Sequence, residues 1–96
     1  MLVLITYDVS TVTPQGRKRL NLVAKACKYY GLRAQKSIFE CEIDPAQWTT
    51  LRHRLLGIIN EEEDSLRFYY LGSNWERHIE HHGIKEPEDM HGLLMI

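Results

Sequence analysis

Leu2-Val3-Leu4-Ile5-Thr6-Tyr7-Asp8 is the stretch on which the fold turns. It is short, apolar and rich in β-branched residues, which predicts a strand. Val3, Ile5 and Tyr7 fall on one face and Leu2, Leu4 and Thr6 on the other, so both faces are apolar or nearly so. A strand of that kind sits in the middle of a sheet. Asp8 stands alone at its carboxyl end, ahead of a polar loop over 9–13. Ligands of α/β folds collect at strand carboxyl ends, which makes Asp8 the acidic residue with the most telling address. For a lone Asp, an N-cap or Asx-turn role is the competing structural reading.

Thr13-Pro14 then opens a helix, with Thr as N-cap and Pro in the first turn. Leu20, Val23, Ala24 and Cys27 recur at helical spacing and mark its buried face, and Gly31 is its expected C′ stop. On an ideal wheel Arg17, Lys18, Lys25 and Lys28 lie within about 100° of one another, away from that stripe, and Arg19 projects in a third direction. From Ser37 the alternation of Phe39, Cys41 and Ile43 against Ile38, Glu40 and Glu42 predicts a strand. Leu32 to Gln35 is either its beginning or a short separate strand. Asp44-Pro45-Ala46-Gln47 is a second helix start with an acidic N-cap and Gln at N3, and Trp48, Leu51, Leu55, Ile58 and Ile59 mark its buried face. Glu61 to Asp64 read as a solvated acidic turn, Ser65 to Leu71 as a third strand, Gly72-Ser73-Asn74 as a turn, and Arg77 to His82 as a short last strand before a tail.

With the middle strand split, the order is βαββαβ. Right-handed crossovers place both helices on one side of the sheet, which is the α+β, ferredoxin-like unit, here with an extra C-terminal strand. The opposite sheet face keeps large side chains, so a homodimer packed through the sheets is expected. Ninety-six residues make one domain, 1–96, with 44% hydrophobic and 26% charged residues, an ordinary globular composition. No apolar run approaches a membrane span. With no export signal, the expected compartment is the cytoplasm, so Cys27 and Cys41 read as small buried hydrophobes.

The net charge of −1 conceals a division. Residues 1–36 hold seven Lys or Arg against Asp8 alone, whereas residues 37–96 hold five against twelve acidic residues. The basic half predicts an anionic partner. His78, His81 and His82 cluster near the C-terminus. On a helix His78 and His82 could ligate zinc, but nothing completes such a site, and a solvated tail segment is the better reading. Phe68, Tyr69 and Tyr70 resemble the aromatic strands of RNA-binding ferredoxin-like domains. They lack the glycine-rich surroundings, so core and interface packing is favoured.

Four segments in order, LITYDVS, RLNLVAKACKYYG, RAQKSIFEC and DSLRFYYLGSN, closely resemble the CRISPR-associated protein 2 family, as does the tail Glu80-His81-His82-Gly83-Ile84-Lys85-Glu86-Pro87. Ala34, where many members carry Val, is the one small departure. The resemblance implies a homodimer whose C-terminal segment, about 75–96, reaches the partner subunit. It implies a part in spacer acquisition with the CRISPR-associated integrase and duplex DNA, and for several relatives a Mg2+- or Mn2+-dependent endonuclease acting on RNA or double-stranded DNA. It places the metal carboxylate on Asp8, beside Tyr7 as a catalytic neighbour. The family's basic residues fall on Arg17, Arg19 and Arg33, its supporting residues on Ser37 and Phe39. The nucleic-acid surface expected from both lines of reasoning is Arg17, Lys18, Lys25 and Lys28, with Arg19 and Arg33 nearer the metal. A non-catalytic DNA-binding scaffold is the alternative.

Overall fold

The computed structural model describes residues 1–71 and 78–84. Its elements are β1 (Leu2–Asp8), α1 (Pro14–Tyr30), β2 (Leu32–Gln35), β3 (Ile38–Glu42), α2 (Pro45–Ile58), β4 (Ser65–Tyr70) and β5 (His78–Gly83). The strands form one antiparallel sheet in the order β2-β3-β1-β4-β5. This is the expected α+β, ferredoxin-like arrangement, with β1 central and β5 added outside β4. Leu32 to Gln35 is a separate strand, joined to β3 through a register shift between Arg33 and Gln35. The Gly72-Ser73-Asn74 turn, Arg77, the Lys85-Glu86-Pro87 end of the tail motif and most of the segment expected to reach a partner lie outside the described residues.

Both helices begin as their sequences predict. The Thr13 hydroxyl accepts from the Gly16 N–H at 3.1 Å. Asp44 and Gln47 form a reciprocal capping box, the Gln47 N–H donating to Asp44 at 2.7 Å and the Asp44 N–H to Gln47 at 3.1 Å. Gly31 stops α1, but in an extended conformation and not the left-handed one expected of a C′ glycine. It is needed for close approach, since a Cβ there would lie 2.5 Å from both Cys41 Sγ and the Glu40 carbonyl oxygen.

The core lies between the helices and one sheet face. Val3, Ile5, Phe39, Cys41, Leu66 and Phe68 from the sheet meet Val23, Cys27, Leu51 and Leu55 from the helices, all without solvent contact. Trp48 packs edge-on against Phe68 and Tyr70, with centroids 4.8 and 5.8 Å apart. The packing reading of Phe68 and Tyr70 therefore holds. On the other sheet face Leu2, Leu4, Thr6 and Ile38 are only half-buried.

Candidate functional site

Asp8 ends β1 opposite Ser65, the first residue of β4. Strand alternation puts it on the open sheet face with Leu4 and Thr6, and it is exposed. No cation among the described residues pairs with it. A carboxylate with these properties is free to take a cation from solution. Among the described residues no group of three or more His, Cys, Asp or Glu converges on one point, so they form no ready-made three-ligand cation site around Asp8.

The loop after Asp8 is tied down by a residue that sequence reasoning placed in a solvated turn. Asp64 is completely buried. Its carboxylate accepts from the Ser10 N–H at 3.0 Å, the Asn60 N–H at 2.8 Å, and Arg19 Nε and Nη2 at 2.8 and 3.3 Å. Burial works to raise the Asp64 carboxyl, but the Arg19 guanidinium and the two backbone N–H groups outweigh it and hold it below the ordinary range. Glu61, Glu62 and Glu63 are exposed as expected. Nothing local distinguishes Asp64 from them in sequence, because its partner Arg19 is 45 residues away.

Tyr7 corrects the expectation that it works beside Asp8. As the neighbouring residue on a strand it points to the other face, into the core, where it is 5% exposed and stacks on Phe39 at 6.2 Å. Its N–H donates to the Ser37 carbonyl at 3.2 Å. Burial pushes its hydroxyl above the ordinary value. Tyr7, Ser37 and Phe39 thus support β1 from beneath. Arg33, on the edge strand β2, lies over the Phe39 ring at 5.1 Å. Arg19 closes on Asp64 and, at 3.4 Å, on Glu63. Both guanidinium groups are thus engaged with other partners, Phe39 and the Asp64–Glu63 carboxylates.

Arg17, Lys18, Lys25 and Lys28 are exposed on α1, and none is ion-paired with a described residue. Arg17 donates to the Thr11 carbonyl at 3.2 Å, a bond that leaves its charge uncompensated. The exposed Leu22 and Tyr29 interleave with the lysines.

The histidines lie on a strand, not a helix; His78 is exposed and His81 and His82 are half-buried. His82 packs on Phe68 at 5.9 Å and its Nε2 is 2.5 Å from Glu80 Oε2. His78 lies against Tyr70 at 5.5 Å. His81, on the other face, has Nε2 2.7 Å from the Ile84 carbonyl oxygen. Glu80 also accepts from Tyr70 at 2.6 Å and from both Nε, at 2.9 Å, and Nη2 of Arg52. Arg52 foremost brings the Glu80 carboxyl down to about 2, while burial and then Glu80 push the Tyr70 hydroxyl up to about 12. This cluster pins β5 to α2. Cys27 and Cys41 are free, buried thiols, pushed up to about 12 and 11 by burial, and chemically quiet.

Comparison with known proteins points to one family. The model of the family described as CRISPR associated protein Cas2 matches residues 1–79. A protein of Chlorobaculum tepidum named CRISPR-associated endoribonuclease Cas2 is 57% identical over 96 residues, covering 100% of both chains. One of Halalkalibacterium halodurans named CRISPR-associated endonuclease Cas2 is 52% identical over 95 residues, covering 99% of each. The crystal structure of Streptococcus pyogenes Cas2 superposes with a TM-score of 0.69 at 58% identity, covering 79% of this chain and 92% of that one. With a family match across most of its length and relatives of this similarity, the chain belongs to the CRISPR-associated Cas2 family.

Proposed function

We propose that this chain is a metal-dependent endonuclease of the spacer-acquisition machinery, working as a homodimer that grips nucleic acid with α1 and places two Asp8 carboxylates at the scissile phosphate. The observation that carries the reading is the exposed Asp8 at the carboxyl end of the central strand, with no cation partner among the described residues. A hard divalent cation suits it, because Mg2+ is held by one or two carboxylates, with phosphate and water completing the shell. One chain supplies one carboxylate, and a second copy across the half-buried open face supplies the other. Mg2+ or Mn2+, when bound, lowers the pKa of a water and offsets charge on the leaving oxygen. Asp8 orients that cation, while Arg17, Lys18, Lys25 and Lys28 hold the backbone phosphates without reading bases. The names of the relatives, endoribonuclease and endonuclease, support phosphodiester cleavage. Duplex DNA, bound together with the CRISPR-associated integrase, is the substrate class that suits the long basic helix face, with RNA as the comparison. The chain is expected to act as one domain, 1–96, in the cytoplasm.

The test is cleavage of RNA and of duplex DNA with Mg2+, Mn2+ or EDTA, by wild type and by Asp8→Asn. Metal-dependent cleavage abolished in Asp8→Asn, with the fold retained, is the expected result. Cleavage unchanged in Asp8→Asn would move the activity elsewhere. The uncompensated α1 charge beside a single-carboxylate site favours a second reading, a dimeric DNA-binding scaffold without cleavage. Tight, salt-dependent duplex binding with no metal-dependent cleavage by wild type would establish that reading.

A further inference from the structure

Arg19 is a poor phosphate ligand as it stands. Its side chain is 16% exposed and faces two carboxylates, Asp64 and Glu63. Drawing it toward a phosphate would leave Asp64 charged and unpaired in the interior, a strongly unfavourable state. Asp64, in turn, ties down the backbone next to Asp8. Its Oδ1 takes the N–H of Ser10, two residues beyond Asp8. Its chain neighbour Ser65 stands opposite Asp8 in the β1–β4 ladder. The loop has no slack on its other side, since a Cβ on Gly16 would fall 1.9 Å from the Ser10 carbonyl oxygen.

We infer that Arg19 and Asp64 form a positioning pair for Asp8, so that Arg19 serves the site through the Ser10 loop and not through contact with nucleic acid. The inference rests on Asp8 being a metal carboxylate. Mg2+ demands near-ideal geometry, and the partners that orient metal ligands typically account for about 10–100-fold in metal affinity or activity. A buried carboxylate that holds the loop two residues beyond the ligand, neutralised by a residue of the basic helix, is such a partner.

Two measurements test it, both on the full chain at a temperature where circular dichroism shows each variant folded. The first is the salt dependence of duplex binding in EDTA. Arg17→Gln should lower the slope of log affinity against log salt by about 1.8 for two copies per dimer. Arg19→Gln should leave the slope unchanged, and a comparable fall there would overturn the inference. The second uses Mn2+ alone, read as paramagnetic broadening of the Asp8 amide signal. Arg19→Gln and Asp64→Asn should each weaken Mn2+ binding about tenfold or more, with the double variant no weaker than either single one. Should Asp64→Asn fail to fold, Arg19→Gln carries the test by itself. Wild-type Mn2+ affinity in these variants, with broadening absent in Asp8→Asn, would overturn the positioning role and leave the metal site standing. No Asp8-dependent broadening in wild type would overturn both.

Discussion

Glu80→Gln isolates the charge that holds β5 against the helix layer. Lowering a carboxyl from 4.5 to about 2 corresponds to about 3 kcal/mol between charged and neutral forms. The Glu80 and Arg52 side chains remain 22% and 39% exposed, so solvent screening reduces the gain, and about 1–2 kcal/mol is the working figure. For a domain of this size that is a fall in melting temperature of about 5–15 °C at pH 7, with protomer concentration held constant because association also shifts the midpoint. Glu80 has a depressed folded value, so its contribution is complete above the unfolded value of 4.5. It declines as pH falls and is gone near pH 2. The gap between wild type and variant in thermal unfolding should therefore shrink as pH falls from about 4.5 toward 2. A gap independent of pH over that range would show that Glu80 acts through shape and not charge. No gap at pH 7 would refute the clamp.

Three further outcomes are expected. Replacing Lys25 and Lys28 together with Ala should weaken duplex binding broadly and lower the salt slope by about 0.9 for each phosphate no longer neutralised, with little change in stability because Ala is favoured at exposed helix positions; an unchanged slope would move the nucleic-acid surface elsewhere. Gly83→Ala should destabilise by more than about 1–2 kcal/mol in denaturant titration, because Gly83 has φ 97° and a Cβ would lie 2.0 Å from the Asp64 carbonyl oxygen; stability within about 0.5 kcal/mol of wild type would contradict that backbone. Sedimentation at micromolar concentration should show a dimer, and a stable folded monomer would count against the two-Asp8 site.

Local chemistry was legible in the sequence. Both helix starts follow from cap residues within three positions, and the two-faced β1 announces its central place through alternation alone. The same alternation separates Tyr7 from Asp8, a consequence of strand geometry that the family resemblance obscured. The long-range pairs were not legible. Arg52 meets Glu80 across 28 residues and Arg19 meets Asp64 across 45. Each member alone looks like a solvated charge until the fold brings its partner over. Asp8 stands out in the sequence by its place at the end of a strand, whereas the residues holding its loop come from α1 and from the entry to β4.

The central place of β1 also sets when this protein can fold. Strand β1 must pair with β3 and with β4, and Val3 finds Tyr70 only after 67 more residues have been made. At about 5–20 residues per second that is roughly 3–13 s. Throughout that interval Leu2 to Tyr7, apolar on both faces and uncharged until Asp8, keeps the edge that awaits β4 open, and its composition favours intermolecular strand stacking. Pairings this distant in sequence also slow folding after release. High-level expression should therefore divert protein to aggregation at the nascent-chain stage, and slower translation or chaperone supply should recover it without any change in the stability of the finished fold.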